Sequence, residues 1–305
     1  MKVEDIKKVL ILGGGHMGQQ IGCVCAMAGY DVTIYDISQE VLDGTMKNIT
    51  KLAGFFVSMK KITDEQAQKL IARITTTTSD VDAAKDADIV SESVPENPEM
   101  KKKVFGRFNE LCPERTIFTT NTSSLLPSMF AAETGRPEKL CAFHFHDVRS
   151  TNIVDVMPHP GTAKEVTQLV ADFARKIGQI PIVMHKESIG FVFNFMLMNW
   201  FESALILAAN DVASVEDIDR SWMGVLRSPM GPFGVMDQVG LKTVYTITDY
   251  WANITKKPQS MKNAAFLKKY VEEGRLGAKV KKGFYDYPNP VFFKPGFIDG
   301  LDQKK

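Results

Sequence analysis

No long block of one charge sign occurs in this 305-residue chain, whose formal net charge is +1. With its basic residues dispersed, the sequence offers no polyanion-binding surface, and nucleic acid is not an expected partner. Cysteine is scarce: Cys23, Cys25, Cys112 and Cys141 are the only four. Their spacing fits neither a zinc site nor a CxxC redox pair, so no metal is expected, and reduced structural thiols fit a cytoplasmic protein. The opening "MKVEDIKKVLILGGG" lacks the apolar core of a secretory signal, because its run Val9–Leu12 leads straight into glycines. An uninterrupted membrane span is missing too. The nearest candidate, "IGFVFNFMLMNWFESALILAA" at 189–209, contains Asn194, Asn199, Glu202 and Ser203. Such groups are costly in lipid, so the segment is expected to be the centre of a helical domain or a subunit interface.

Strand patterns are absent after Glu187, and that absence divides the chain. Up to about residue 185, β-rich runs alternate with helical patterns. The runs are "KVLIL", "DVTIYDI", "RITTTT", "ADIVSES", "TIFTTNT", "KLCAFHF", "NIVDVMP" and "IPIVM". Helices are predicted over 17–28, 39–60, 65–72, 98–111 and 163–176. Such alternation predicts an α/β, doubly wound, mostly parallel sheet covered on both faces, with its last three strands as an antiparallel extension. Helices predicted over 189–209, 214–226, 234–254 and 260–273 make the remainder all-α. The expected domains are 1–186 and 187–305.

The segment "VLILGGGHMGQQIG" runs from a strand through Gly13, Gly15, His16, Met17 and Gly18 into a helix. A second strand then ends in Asp36. In that context the glycine pattern predicts a dinucleotide site. Gly13 permits the tight turn, Gly15 lets the backbone approach a pyrophosphate, and Gly18 lets helix and strand pack closely. The helix N-terminus offers free N–H groups to the phosphates. Asp36 would hydrogen-bond ribose hydroxyls and repel a 2′-phosphate, favouring NAD over NADP. FAD proteins share the pattern, so it does not fix the chemistry.

Taken in order, "GGGHMG", "ESVPENPEMKKKVF", "NTSSL", "AFHF" with "NIVDVM", "IGFVFNFML", "SPMGPFGVMDQVGL" and "KKGFYDY" resemble the 3-hydroxyacyl-CoA dehydrogenase family over nearly the whole chain. The resemblance implies NAD-dependent interconversion of an (S)-3-hydroxyacyl-CoA and its 3-keto form by a homodimer joined through its helical half. It places the base on His144, the orienting acid on Asp155, and the substrate-contacting serine and asparagine on Ser123 and Asn194. Glu96 and Lys101 fall at positions that meet the nicotinamide end of the cofactor. Where the family has "HFFNP" this chain reads "HFHDV"; the orienting acid is one methylene shorter, and Phe195 stands in place of an arginine. An altered pocket is the expected consequence.

The residues themselves point the same way. A hairpin with Val148–Thr151 as its loop would set His144 opposite Asp155 and His146 opposite Ile153. Imidazole can take the hydroxyl proton as hydride leaves the same carbon, and Asp155 would fix its tautomer. Each role has a plainer counterpart. His144 and Asp155 would suit a satisfied core pair, and Ser123 could cap a helix beginning near Leu125. Asn194 could pair with another core group, while Glu96 and Lys101 could lie on a solvated helix face. Asp147 suits a turn or a pocket acceptor. Lys60 and Lys61 could meet a CoA ribose phosphate or simply be exposed. Arg149 beside the pocket would suit a free carboxylate, which keeps a dehydrogenase of free 3-hydroxy acids as the alternative. A non-catalytic NAD-binding dimer is the alternative of another class.

Overall fold

The computed structural model describes residues 1–301. It divides into two compact units, Met1–Val192 and Phe193 onward.

The first unit alternates strand and helix. Its eight strands are β1 (Lys8–Leu12), β2 (Asp31–Tyr35), β3 (Ile74–Thr77), β4 (Ile89–Glu92), β5 (Ile117–Thr120), β6 (Leu140–Phe145), β7 (Ile153–Pro158) and β8 (Ile180–Val183). Between them lie α1 (His16–Met27), α2 (Gln39–Ser58), α3 (Asp64–Ala72), α4 (Asp80–Ala84), α5 (Pro98–Leu111) and α6 (Lys164–Lys176). The strands form one sheet in the order β3-β2-β1-β4-β5-β6-β7-β8. Burial on both faces explains why β1, β4, β5 and β6 read as near-continuous apolar or hydroxyl runs rather than alternating ones.

Only β6 and β7 pair antiparallel; β7 and β8 are parallel. This corrects the expected antiparallel extension of three strands. The crossover helix α6, buried along Val166, Leu169, Val170 and Phe173, returns the chain to the same end of the sheet. Order reverses at β1 and β4, and the carboxyl ends beside that point are where such sheets bind ligands.

The second unit holds α7 (Phe193–Ala209), α8 (Val215–Leu226), α9 (Pro232–Val239), α10 (Leu241–Thr255) and α11 (Pro258–Glu272). The single helix predicted over 234–254 is two, because Gly240 at φ 100° ends α9 and starts α10. No helix among the described residues is long and apolar enough to cross a membrane.

Two buried carboxylates account for the C-terminal motifs. Asp219 accepts the Phe233 and Gly234 N–H groups at the start of α9, and the Tyr285 hydroxyl, each at 2.9 Å. Asp237 accepts the Phe284 and Tyr285 N–H groups at 2.8 and 3.0 Å. A Cβ on Gly283 would come 2.0 Å from Asp237 Oδ1, which explains the glycine of "GFYDY".

Burial, opposed by these hydrogen bonds, pushes the Asp219 carboxyl from 3.8 up to about 6. The native state therefore holds that proton more tightly than the unfolded chain. The associated stability is fully present below about pH 3.8 and is lost as pH rises through about 6. The gap corresponds to ~3 kcal/mol at ~1.4 kcal/mol per pKa unit. In urea unfolding, the advantage of the wild type over Asp219→Asn is expected to shrink between pH 4 and pH 7. A constant difference would contradict this.

Candidate active site

Gly13 follows β1 at φ 104°, and a Cβ there would meet the Ser93 carbonyl oxygen at 2.7 Å. A Cβ on Gly18 would lie 1.9 Å from the Gly13 oxygen, so α1 can approach β1 only with glycine at this position. Gly15, at the N-cap of α1, faces open space: a Cβ would find nothing within 4 Å. No side chain caps this helix, which leaves its first N–H groups and its positive dipole end directed at that space. Asp36, just past β2, accepts the Gly14 N–H at 2.9 Å and the Ser38 N–H at 3.0 Å. Each oxygen keeps a lone pair for a ribose hydroxyl. An uncapped helix end, an open glycine and an acid beyond the second strand together fit a dinucleotide with a free 2′-hydroxyl.

Across the switch point, Glu92 ends β4 with no exposed surface, and Lys101 of α5 is 1% exposed. Lys101 Nζ lies 2.7 and 2.9 Å from the two Glu92 oxygens and 3.3 Å from Glu96 Oε2. Thr120 Oγ1 and the Val94 N–H also donate to Glu92. Burial pushes the Glu92 carboxyl up, against the pull of Lys101. Glu96 accepts from the Thr122 and Ser124 hydroxyls and from the Ser123 and Ser124 N–H groups. These bonds and Lys101 outweigh burial and hold Glu96 below the usual carboxylate range.

At the same edge of the sheet, His144 stands opposite Asp155 in the β6–β7 ladder. Its Nδ1 lies 3.0 Å from Asp155 Oδ2, and both residues are buried. The Phe191 ring packs on the imidazole with centroids 4.8 Å apart. The ladder ends at Phe145–Val154, before the expected His146–Ile153 pair. Beyond the ladder, His146 brings Nε2 to 3.5 Å from the same Asp155 oxygen. Burial alone would raise the Asp155 carboxyl; hydrogen bonding to His144, then His146, outweighs it and holds the group low. Gln20 of α1 accepts the Val148 N–H at 2.9 Å and sets its amide 2.8 Å from His16 Nε2. The cofactor helix is thereby tied to the loop that follows the histidines.

The NAD-binding domain of 3-hydroxyacyl-CoA dehydrogenase matches residues 8–188, and the C-terminal domain of the same family matches residues 190–287. The chain belongs to the 3-hydroxyacyl-CoA dehydrogenase family. It is an enzyme of the NAD-dependent kind that this family comprises. A 3-hydroxybutyryl-CoA dehydrogenase of Clostridioides difficile is 34% identical over 286 residues, covering 92% of this chain and 99% of that one. The structure of a diketoreductase, which carries out catalysis on dicarbonyl compounds, is 38% identical at a TM-score of 0.86, covering 92% and 99%. The (S)-3-hydroxybutyryl-CoA dehydrogenase of Ralstonia eutropha is 28% identical at a TM-score of 0.84, covering 93% and 100%.

Within this family frame, the structure brings Gly13, Gly15, Gly18, Asp36, Glu96, Lys101, Ser123, His144 and Asp155 to the carboxyl edge of one sheet. His16 and Met17 open α1 beside them. Lys101 is not on a solvated face; it is the buried partner of a glutamate that sequence reasoning passed over. Glu92 looks like any polar residue in "DIVSES", and only the cation nine positions on gave a signal for it. No helix begins near Leu125: a 3-10 turn at Pro127–Met129 follows instead, and Thr122 rather than Ser123 accepts the Leu125 N–H. The Ser123 hydroxyl is exposed and makes no hydrogen bond among the described residues.

Asp147 closes a local turn, its backbone oxygen accepting from Ser150 and Thr151, and its carboxylate binds the Arg149 guanidinium. Arg149, its side chain half exposed, thus pairs with a neighbour two residues away. Lys60, at φ 56°, and Lys61 are exposed just past the end of α2. Asn194 lies in the first turn of α7 in the second unit. The four cysteines are free and buried, and burial pushes the Cys23 and Cys112 thiols up to about 12.

Proposed function

We propose that this enzyme interconverts an (S)-3-hydroxyacyl-CoA of short acyl chain and the 3-ketoacyl-CoA, with His144 as the general base. The observation that carries the reading is the buried His144–Asp155 dyad on the same sheet edge as the open glycine turn. Nδ1 bonded to Asp155 leaves Nε2 to receive the hydroxyl proton and to return it in the reverse direction. Asp155 fixes that tautomer and offsets the positive charge on the ring. Phe191 packs its ring against the imidazole, with centroids 4.8 Å apart. Ser123, with its exposed hydroxyl, and Asn194 would hold the substrate oxygens, so that the reacting carbon is positioned. The glycine turn, the α1 N-terminus and Asp36 would hold NAD, which supplies the hydride acceptor when bound. Lys60 and Lys61 would meet a CoA phosphate as point charges.

Homodimerisation is supported by the apolar side chains of the helical unit, where Val225, Leu226, Tyr250 and Ile254 stand exposed in the single chain. The buried, reduced thiols suit a cytoplasmic setting.

A second reading, a free 3-keto or dicarbonyl substrate, is favoured by the 38% identity to the diketoreductase. The pairing of Arg149 with Asp147 weighs against a carboxylate clamp at that residue. NADH oxidation with acetoacetyl-CoA, against a panel of free 3-keto acids and diketones, tests the two. The thioester is expected to turn over with the higher kcat/KM; turnover of the free compounds alone would transfer the assignment.

A further inference from the structure

The proton transfer proposed above calls on His144 and Asp155, and His146 converges with them on one point. We propose that His144, His146 and Asp155 form a site for a borderline divalent transition ion, Zn2+ foremost, and that occupancy of this site switches the base off.

Two imidazoles and one carboxylate are the donor set that such ions take in preference to Mg2+ or Ca2+, which require oxygen. Here each residue offers one ligand atom, and all three atoms lie within 4.8 Å of one another. Asp155 Oδ2 is 3.0 Å from His144 Nδ1 and 3.5 Å from His146 Nε2. Ligands about 2.0–2.2 Å from a shared ion stand at roughly such separations, so rotamer adjustments close the set. It is the only group of three or more such side chains among the described residues that could hold an ion.

The surroundings favour a cation. Asp155 is 1% exposed. Among the described residues its carboxylate meets the two imidazoles and no cationic side chain that is always charged. The β6–β7 ladder holds two of the ligands, while His146, just past the end of the ladder, keeps 18% of its side chain exposed.

The inhibitory half of the proposal rests on the role of His144 given above; the binding half does not. Coordination through Nδ1 moves the ring proton of neutral His144 to Nε2, with no net change in protons. Nε2 then has no lone pair for the substrate hydroxyl, and Asp155 is drawn from the ring to the ion.

The test is titration of the full-length protein with Zn2+ in a calorimeter, and with Co2+ followed by visible absorbance, both without substrate. One equivalent per chain is expected for each, with a Co2+ band of low-symmetry nitrogen–oxygen coordination. His146→Phe and His146→Gln are each expected to weaken Zn2+ binding at least about tenfold. Mg2+ should not compete. In the wild type, Zn2+ should lower turnover at least about tenfold, reversibly with EDTA. Absence of stoichiometric binding, or equal binding by both His146 variants, overturns the site. Binding that depends on His146 but leaves turnover intact overturns the switch alone. The alanine variant of His144 separately shows whether the base assignment itself has failed.

Discussion

Replacing His144 with alanine is expected to lower kcat by about 10^2- to 10^4-fold, the range that one positioned general base contributes, with NADH affinity unchanged. The separation follows from where the groups sit. The residues that would hold the dinucleotide belong to β1, α1 and the end of β2, whereas His144 lies on β6 and its partner on β7. Removing the ring takes away the proposed proton acceptor and leaves the Asp155 carboxylate buried with His146. His146 is the side chain placed to compensate, because its Nε2 already lies 3.5 Å from Asp155. His144→Ala with His146→Phe should therefore fall below the single variant if His146 supplies the residual rate. Steady-state kinetics on acetoacetyl-CoA, with NADH binding followed by fluorescence, reads both quantities. A His144→Ala enzyme of wild-type kcat would place the base elsewhere, and a wild-type protein that binds NADH but turns over no substrate would suit the non-catalytic alternative.

Much of the first unit was legible because its signals are local and concordant. Strand periods, glycine positions and the acid after β2 each belong to a segment shorter than twenty residues. Helix α5 begins at Asn97–Pro98, where a capping asparagine and a proline announce it. The opposition of His144 to Asp155 was legible too, since loop length sets hairpin register. What the register could not give was the end of the ladder. Asp147 accepts the Ser150 and Thr151 N–H groups and tightens the turn, taking His146 out of its predicted place opposite Ile153. The parallel β7–β8 pair was hidden for another reason. Closeness in sequence suggests hairpins, but α6 is long enough for a crossover. Glu92, Asp219 and Asp237 show a further limit. A buried carboxylate is identified by partners that lie 2 to 66 positions away, and no short window of sequence contains them all.

Lys101→Met is expected to destabilise the protein by ~3–5 kcal/mol, because it leaves Glu92 in the interior with its cation gone. Against a total stability of about 5–15 kcal/mol, that is a large fraction. Glu92 has no exposed surface, and burial already pushes its carboxyl up with Lys101 in place. The Thr120 hydroxyl and the Val94 N–H remain as donors after the substitution, but neither carries charge. Glu92→Gln alone strands the ammonium with Glu96 as its remaining carboxylate, at 3.3 Å. The double variant Glu92→Gln, Lys101→Met removes both charges together and should regain most of the lost stability, as replacement of a buried pair commonly does. Urea midpoints of the four proteins close the cycle. The same set also tests the placement of Lys101 at the nicotinamide end. A Lys101→Met protein as stable as wild type but weak in NADH binding would make the lysine a cofactor contact. Loss of stability, with NADH affinity retained in the double variant, would make it the anchor of the Glu96 turn that carries Ser123.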